Sequence, residues 1–465
     1  MIRRRVLFGG VLGVLFAFGW WAGARAESGL YSGLDLFIEV LQTVQANYVD
    51  PVDTGKLVTG AMRGVTRALD PWSRYLDPDD FRATRGAIQG SFDGIGATVD
   101  QKGGWPVVVA PIEGSPAWKA GLEPGDVITK VDGHSTFGMT PDEVGAKLRG
   151  GPATMVTLTV ARQGEDEREV KLQRDKVQVK NVPYAFLAAP GVGYVRLAHF
   201  STHASADVAA ACDTLRTQGA RALLLDLRGN PGGTFDEAVA IASQFLPSGV
   251  TVVSTKGRAS DADQVYKSTR ARPELSWPLA VLVDGGSASA SEIVAGALQD
   301  HDRAVLVGDT TFGKGVSQQI YPLRGSQGAL QLTVSRYFTP SGRSIHRLAA
   351  PPVDDDDDGD VEGEVRRPPT LDSLRTRAYR TDAGRIVRGG GGLAPDVRVA
   401  ADTAATRIRI MSHHPGGLTG AARESLAHDP VYLRALELVK KASDARGVFT
   451  AAGLALPNAT GGARR

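Results

Sequence analysis

The sequence of 465 residues lacks several features that would place it in a class at once. It has one cysteine, Cys212, so no disulfide can form within the chain and stability must come from packing. Its 53 lysine and arginine residues nearly balance 51 aspartate and glutamate residues, and the net charge of +2 provides no basic field for nucleic acid. Beyond residue 22, no apolar run reaches the roughly 18 residues of a membrane-spanning helix. A hydrophobic content of 42% excludes a mainly disordered chain, and the length corresponds to about three domains.

The first 26 residues have the composition of an export signal. Three arginines at residues 3–5 precede an apolar run over residues 6–22, and Ala24-Arg25-Ala26 is typical of a signal-peptidase cleavage site. An uncleaved membrane anchor is the alternative, because about 17 apolar residues lie at the short limit for spanning a bilayer. We therefore expect an exported protein that is periplasmic or anchored to the membrane facing the periplasm.

Glycine, with 56 residues, is abundant and clusters between apolar runs, which indicates many tight loops. Apolar spacing at residues 34–44 and 57–69 is helical, and residues 91–177 contain short β-rich runs with one helix that Thr140 and Glu143 are placed to cap. Five regions follow: a signal peptide (1–26), a helical N-terminal region (27–90), a β-rich domain (91–177), an α/β core (178–400) and a C-terminal helical region with a tail (401–465).

Apolar strands alternate with helices through the core. The expected strands are 193–197, 222–227, 279–283 and 304–308, and the expected helices are 204–217, 235–245 and 290–298. Proline pairs and an acidic run mark residues 347–377 as an insertion, and residues 429–442 predict a closing helix.

A nucleophile candidate follows the strand at 279–283. Small residues over 284–291 allow backbone and substrate to approach closely. Ser289 and Glu292 have the spacing of a capping box, so one interpretation is that Ser289 only caps a helix. The other is catalytic, because free N–H groups and the dipole at a helix N-terminus stabilise a negative oxygen.

A base candidate lies in the next loop. Lys314 stands between two glycines, and a lysine that is desolvated in an apolar pocket has a lowered pKa and acts as a general base, which arginine cannot do. Gln318 is placed to hold the amine by a hydrogen bond. The alternative is an ordinary solvated surface lysine.

A glycine-rich turn follows the strand at 222–227. It leads into a helix that Thr234 and Glu237 are placed to cap. The N–H groups of Gly232 and Gly233 would supply half of an oxyanion hole, with the N–H of Ala290 as the second donor.

The β-rich region resembles a PDZ domain of the bacterial protease type. The resemblance rests on an ordered set of motifs: Gly94-Ile95-Gly96, residues 111–117, Ala120-Gly121-Leu122, residues 124–128 and Val131-Asp132-Gly133. In such domains a peptide adds as a strand and a glycine-containing loop holds its terminal carboxylate, which assigns Gly94, Ile95 and Gly96 to peptide binding.

The core resembles the carboxyl-terminal processing serine proteases, which have a Ser-Lys dyad. The resemblance rests on four segments in the expected order: residues 227–233, the Ser-Ala-Ser-Ala-Ser-Glu run at 287–292, residues 308–318 with Gly-Lys-Gly, and residues 337–342 followed by 392–396. It implies an α/β core of the ClpP/crotonase type with an inserted PDZ domain. It also implies that Ser289 is the nucleophile, Lys314 the base, and Gln318, one helical turn later, its support. Ser287 and Ser291 remain alternative nucleophiles.

The sequence departs from this family in one place. About 46 residues separate Ile345 from Gly392, where family members have a short connection, and residues 379–387 partly echo residues 337–345.

Three other motifs are incomplete. Residues 308–314 nearly match a phosphate-binding loop, but Gly315 replaces the Ser or Thr that binds Mg²⁺. Residues 354–359 imitate an EF-hand start without the closing Glu, and His199 and His203 lack the intervening Glu of a zinc helix.

These observations predict an exported serine endopeptidase that recognises protein C-terminal tails and needs neither a metal nor an organic cofactor. The expected partners are proteins with exposed C-termini, with an adaptor or activator protein and a homo-oligomer as further options, and no nucleic acid. The alternative is a non-catalytic PDZ scaffold that binds tails without cutting them. Incubation with an unstructured protein discriminates the two functions.

Overall fold

The computed structural model describes residues 31, 33–162, 164–269, 276–326, 328–347, 377–400 and 417–457. The expected export signal and the acidic run lie outside these residues. In the part of the chain that is described, no helix has the length and apolar character needed to cross a membrane. The chain divides into two compact units, one of residues up to Asp77 with Tyr321–Gln331, the other of Pro78–Ile320 with Leu332 onward.

The described residues of the first unit contain the two helices that apolar spacing predicts at residues 34–44 and 57–69. Helix α1 covers residues 33–47, and α2 (Thr54–Arg67) begins at Asp53, whose side chain accepts the N–H groups of Gly55 and Lys56. Strand β1 (Arg74–Leu76) pairs antiparallel with residues 329–331 of a later strand. Large apolar side chains of α1 are exposed: Leu34 at 51%, Phe37 at 40% and Ile38 at 44%.

The second unit begins with α3 (Pro78–Ile88) and a β-rich region. Its elements are β2 (Ser91–Gly94), β3 (Ala97–Lys102), β4 (Trp105–Pro111), α4 (Pro116–Lys119), β5 (Val127–Val131), β6 (His134–Ser135), α5 (Pro141–Leu148), β7 (Met155–Ala161), β8 (Arg168–Gln173) and β9 (Asp175–Gln178). The sheet has the order β3-β4-β5-β7-β8, with β6 on β5, and β2 pairs with β9. The predicted capping box is formed, since Glu143 accepts the Thr140 N–H at 2.8 Å and its own N–H donates to the Thr140 hydroxyl at 3.3 Å.

A six-stranded sheet forms the centre of the rest of this unit. Its strands, in spatial order, are β10 (Ala185–Ala189), β11 (Val192–Arg196), β12 (Ala222–Asp226), β15 (Leu279–Val283), β16 (Val305–Gly308) and β21 (Val397–Arg398). β10 is antiparallel to β11, and the following pairs are parallel. Parallel strands need helices on both faces, and the central strands β12, β15 and β16 are accordingly buried throughout.

Helices cover both faces of this sheet. One face packs on α6 (Ala204–Thr217), α7 (Phe235–Phe245) and α8 (Ala290–Asp300), and the other on α9 (Gly417–Leu426), α10 (Pro430–Lys441) and α11 (Gly447–Ala451). Alternate residues of one strand divide between the two cores: Leu223 and Leu225 face the first, Leu224 the second. The α/β architecture is therefore as expected, with strand and helix bounds within two residues of the predictions.

Further strands flank this core. They are β13 (Thr251–Gly257), β14 (Gln264–Lys267), β17 (Val316–Pro322), β18 (Ala329–Phe338), β19 (Ala378–Arg380) and β20 (Ile386–Arg388). β13 pairs with β14 and with the last four residues of β18, while β19 and β20 form a hairpin.

The echo between residues 337–345 and 379–387 corresponds to a repeated turn. The Thr339 N–H donates to the Arg343 carbonyl at 3.1 Å, and the Thr381 N–H donates to the Arg385 carbonyl at 3.0 Å. Both arginines reach the end of α8, where Arg343 donates to the Gln299 side chain and Arg385 to the Gln299 carbonyl. The described end of the insertion thus supplies a second anchor for this helix.

Candidate active site

Three loops meet at one edge of the central sheet. They follow the carboxyl ends of β12, β15 and β16 and cover residues 227–233, 284–289 and 309–315. Since these strands are parallel neighbours, their following loops lie side by side at the edge where open α/β sheets bind ligands. The topology thus gathers Ser289, Ala290, Lys314 and Gly232, which the sequence predicts to act together.

The three serines at positions 287, 289 and 291 differ in exposure. Ser287 and Ser291 are fully buried, and their hydroxyls donate to the carbonyls of Leu227 at 2.8 Å and Asn230 at 2.9 Å. Ser289 is partly exposed. Ser287 and Ser291 therefore hold this segment against the turn at residues 227–233, whereas Ser289 is the serine of the three that solvent can reach.

The backbone of Ser289 is not that of an ordinary helix cap. Capping serines adopt extended backbone angles, whereas Ser289 has φ 56° and ψ −112°. A non-glycine residue at positive φ is strained, and such strain concentrates at functional sites. Glu292 accepts the Ser289 N–H at 2.9 Å, so the acidic partner of the predicted box is in place.

Glu292 links the loop that carries Ser289 (residues 284–289) to the lysine loop, residues 309–315, which carries Lys314. Its carboxyl group is fully buried and, besides the Ser289 N–H, accepts the Thr311 hydroxyl at 2.6 Å and the N–H groups of Gly313 at 2.8 Å and Lys314 at 2.9 Å. Burial raises the pKa of Glu292, and these hydrogen bonds oppose the rise. All four partners are donors, so they suit the ionised carboxylate. Sequence reasoning assigned Glu292 only a cap, because its bonds to Thr311, Gly313 and Lys314 cross about 20 residues.

The backbone of residues 313–315 is held at every polar group. Glu292 accepts the first two N–H groups. The remaining partners are His346 Nδ1 for the Gly315 N–H (3.4 Å), the Arg347 N–H for the Gly313 carbonyl (2.8 Å), the Tyr337 hydroxyl for the Lys314 carbonyl, and the Tyr337 N–H for the Gly315 carbonyl (3.1 Å). The backbone that carries Lys314 is therefore fixed, and the partly exposed side chain starts from a defined position.

Gly232 lies against Ser289, the predicted nucleophile. A Cβ added there would come within 2.9 Å of both the Ala290 nitrogen and the Ser289 Cβ. Ala290 begins α8, where an N–H has no acceptor within the helix. The Gly232 N–H, however, donates to Asn230 Oδ1 at 2.9 Å, because an Asn side chain readily reaches the backbone two residues on. Gly232 can therefore act in the predicted oxyanion hole only if its N–H exchanges the Asn230 side chain for the oxyanion. Gly233, the other donor predicted for this turn, is the next residue.

Known proteins resemble this chain over most of its length. Residues 191–355 match peptidase family S41, and residues 107–162 match the PDZ domain. A carboxy-terminal-processing protease of Bartonella bacilliformis is 38% identical over 362 residues, which cover 76% of this chain and 82% of that protein. The chain belongs to peptidase family S41. The carboxy-terminal processing protease CtpA of Bacillus subtilis is 34% identical over 331 residues, 71% of this chain and 70% of its own length.

Among solved structures, a photosystem II D1 C-terminal processing protease is 32% identical, covers 67% of this chain and 89% of its own, and has a TM-score of 0.42. The two family matches and the two named proteases, rather than this structural similarity, show that the chain is a serine peptidase of the S41 family with a PDZ domain, and the alternative of a non-catalytic scaffold is set aside.

Gln318 of this S41 peptidase lies on a strand, not one helical turn after the lysine. Residues 316–322 form β17, and in extended chain a spacing of four also returns side chains to one face. The Gln318 amide nitrogen lies 3.5 Å from the Val316 carbonyl and 3.4 Å from the Thr333 hydroxyl, both long for hydrogen bonds. Its support of Lys314 stays a prediction.

The predicted cap of α7 is replaced by longer contacts. Thr234 directs its hydroxyl to the Phe200 carbonyl at 3.1 Å, and Glu237 accepts the N–H groups of His203 and Ser205 at the start of α6. His203 is the residue before α6, and His199 precedes it outside any helix, so the two do not share a helical face. Local spacing identified capping residues but not which helix they cap.

The predicted carboxylate-binding residues of the PDZ domain lie where β2 ends and β3 begins, with Gly94 as the last residue of β2, and their role stays a prediction. Ile95 is buried and its carbonyl accepts the Ala117 N–H at 2.8 Å, while the Gly96 carbonyl accepts the Ile112 N–H at 2.8 Å and the Ser115 hydroxyl at 3.0 Å. In a trans peptide the N–H points opposite to the carbonyl, so the N–H after each held carbonyl faces away from these partners. β3, which begins at Ala97, is an edge strand of its sheet, and α5 packs beside it.

A buried charge network supports the glycine turn of the peptidase. Asp226 accepts from Arg228 at 2.7 Å and from the Tyr194 hydroxyl at 2.7 Å, and Arg228 also pairs with Asp429, which caps α10. Burial alone would raise the pKa of Asp226, but Arg228 and Arg196 outweigh it and hold that pKa well below its usual value. The sequence analysis did not predict this network. The Asp-x-Arg pattern of residues 226–228, at the end of an apolar strand, could have indicated a buried ion pair there.

Proposed function

We propose that this S41 peptidase is an exported endopeptidase that uses Ser289 as nucleophile and Lys314 as general base on proteins with exposed C-terminal tails. The observation that carries the proposal is the contrast among the three serines. Ser289 is partly exposed while its neighbours are buried and bonded, and one carboxylate holds its N–H and that of Lys314.

The cycle begins when the neutral Lys314 amine takes the Ser289 proton and the oxygen attacks the scissile carbonyl. The Ala290 N–H stabilises the oxyanion together with the glycine turn at Gly232, after the Asn230 bond is exchanged. Lys314 then gives its proton to the leaving amine, which leaves an acyl-enzyme on Ser289. Water activated by Lys314 hydrolyses this ester, and Gln318 keeps the amine oriented.

The PDZ domain supplies tail recognition. A tail that adds beside β3 gains backbone hydrogen bonds, and the loop of Gly94, Ile95 and Gly96 holds its carboxylate. Binding of the tail shifts the enzyme toward its active arrangement. If a variant lacking residues 91–177 cleaved at an unchanged rate with unchanged substrate choice, this part of the proposal would fail.

The test is cleavage of an unstructured protein, followed on a gel with the purified full chain. Ser289→Ala and Lys314→Arg remove turnover and leave folding and tail binding intact, because they remove the nucleophile and the base but no core contact. Ser291→Ala is the matched control: it loses a buried hydrogen bond but retains cleavage. Appreciable cleavage by purified Ser289→Ala, or a working Lys314→Arg, would refute the assigned roles.

A further inference from the structure

A second carboxylate joins two loops of the site. Asp284 directly follows strand β15, and its Oδ1 atom accepts the N–H of Gly229 at 2.7 Å and the N–H of Gly286 at 2.9 Å. Gly229 belongs to the glycine turn (residues 227–233), and Gly286 to the loop of the proposed nucleophile. The two segments are in close contact, because a Cβ added to Gly286 would lie 2.8 Å from the Gly229 Cα. Asp284 therefore ties the turn of the predicted oxyanion hole to the nucleophile loop.

The Asp284 carboxylate acts at the corner of the glycine turn. The Asn230 N–H closes this corner by donating to the Leu227 carbonyl at 3.2 Å, and the Asn230 carbonyl accepts the Ala288 N–H at 3.0 Å. Gly229 lies at the corner with φ +59°, a conformation that favours glycine. Backbone bonds thus hold the turn beyond its corner, and the side chain of Asp284 holds the corner itself.

The position of this turn matters for the proposed reaction. Gly232 lies three residues beyond Gly229, and a Cβ added to Gly232 would lie 2.9 Å from both the Ser289 Cβ and the Ala290 nitrogen. Oxyanion donors stabilise the transition state when they are held about 2.7–3.1 Å from the oxygen before the reaction begins. A displaced corner would move the Gly232 N–H out of that range. Since an ionised carboxylate only accepts hydrogen bonds, the contribution of Asp284 is to place the turn.

We infer that Asp284 is a positioning residue of this peptidase, which holds the glycine turn in register with Ser289 through its hydrogen bond to Gly229. This inference rests on the proposed function of Ser289 and its oxyanion hole. Glu292 has the complementary role, because it holds the N–H groups of the lysine loop on the other side of the nucleophile. One carboxylate thus positions the oxyanion turn and the other positions the loop of the base.

The test compares two full-length variants whose new side chains have nearly the same shape. Asp284→Asn keeps an oxygen that accepts both N–H groups, whereas Asp284→Leu has no acceptor. In hydrolysis of a short peptide, Asp284→Leu should lose on the order of 10- to 100-fold in kcat with unchanged KM, because only transition-state stabilisation is reduced. Asp284→Asn should stay within about 3-fold of the wild type, since it retains the geometry. If Asp284→Leu does not fold, Asp284→Ala provides the same comparison.

A peptide boronic acid supplies a readout that a loss of stability alone would not move. The bond between Ser289 Oγ and boron forms, the base takes the hydroxyl proton, and the tetrahedral boronate carries an oxygen where the oxyanion forms. Its affinity should fall in Asp284→Leu by the same factor as kcat and recover in Asp284→Asn. The inference is overturned if folded Asp284→Leu matches the wild type in kcat and inhibitor affinity, or if Asp284→Asn loses as much as Asp284→Leu.

Three controls separate this inference from its premise. Asp263→Ala removes a carboxylate that accepts another glycine N–H, that of Gly257 at 3.1 Å between β13 and β14, and should leave kcat unchanged. Ser289→Ala should abolish cleavage and boronate binding; if it does not, the proposed function fails, whatever the result for Asp284. In a Gly232→Ala background, Asp284→Leu should cost less than in the wild type, because both changes act through one turn. Fully additive losses would contradict that coupling.

Discussion

The two ends of helix α8 are held by different chemistry. At its N-terminus the buried Glu292 accepts neutral donors, namely backbone N–H groups and one hydroxyl, from two loops. At its C-terminus the contacts are ionic: Asp300 pairs with Arg343 at 2.7 Å, and Asp302 and Asp396 pair with Arg385 at 2.5 Å. The ionic end anchors the helix, and the neutral end fixes the positions of the loops that carry Ser289 and Lys314. Changes at the N-terminus should therefore reduce activity more than stability, and changes at the C-terminus the reverse.

Among changes at the two ends of α8, the largest effect on activity is expected for Glu292→Gln. The amide keeps the shape, but its NH₂ group faces N–H donors where the carboxylate accepted, so the loops that carry Ser289 and Lys314 separate. A shift of about 1 Å costs on the order of 10²-fold, and we expect that loss in kcat with unchanged tail affinity, measured by steady-state kinetics.

Glu237→Gln is the matched control, because Glu237 also accepts two backbone N–H groups, yet at the start of α6. It should retain most of the activity. Comparable losses in both variants would mean that Glu292 has no special role in positioning.

Gly232→Ala should reduce kcat almost as strongly. Its methyl group would press on the Ala290 nitrogen and the Ser289 Cβ at 2.9 Å, and the residue has φ +99°. Gly249→Ala has a similar φ of +88° with nothing within 4 Å, so it carries the backbone strain alone. We expect a loss of activity only for the first variant in peptide hydrolysis assays; equal activities would contradict the contact at Ser289.

At the other end of α8, Arg343→Met should mainly destabilise the fold. Removing one partner of a buried ion pair leaves Asp300 uncompensated and costs about 3–5 kcal/mol in the free energy of unfolding, measured with urea. Arg398→Met removes an exposed partner of Asp309 and should cost at most about 1 kcal/mol. If the two variants were equally stable, the anchoring role of this end would be wrong.

The smallest effect concerns pH. His301 follows α8, and its ring nitrogens lie 2.7 Å from Asp382 Oδ2 and 2.6 Å from the Thr251 carbonyl, both acceptors, so the imidazolium fits best. Burial alone would lower the pKa of His301, but these hydrogen bonds outweigh it and raise the pKa.

A raised folded-state pKa means that His301 stabilises the fold fully below its unfolded pKa of about 6.5, and that this contribution disappears as pH rises through the folded pKa. The wild type should exceed His301→Gln in Tm at about pH 5.5, by an amount equivalent to at most about 1 kcal/mol because Asp382 is exposed, and the difference should close in alkali. A difference in Tm that is independent of pH would contradict the charged form.

Local patterns were enough to predict most elements of the core. Apolar runs located β12, β15 and β16, but the parallel order of these strands, which brings the loops of Gly232, Ser289 and Lys314 to one edge of the sheet, comes from the structure. The Thr140–Glu143 box also formed as predicted, because both partners lie within one helical turn.

Side-chain contacts between distant segments could not be predicted in this way. Spacing assigned Glu292 and Glu237 to local caps, although each accepts backbone N–H groups 21 to 34 residues away. Tyr337 belongs to the motif at residues 337–342, but its hydrogen bonds to the backbone of Lys314 and Gly315 depend on the position of β18 beside the lysine loop. The repeated turn of the insertion was visible as an echo, and its place at the end of α8 was not.

The most direct test of the central claim is to map where a fluorophosphonate attaches to the purified peptidase and how fast. The account predicts label on Ser289 and not on Ser287 or Ser291, and at least about 100-fold slower labelling in Lys314→Arg, since loss of a base removes 10²- to 10⁴-fold. Label on either buried serine, or an unchanged rate without the lysine amine, would contradict it.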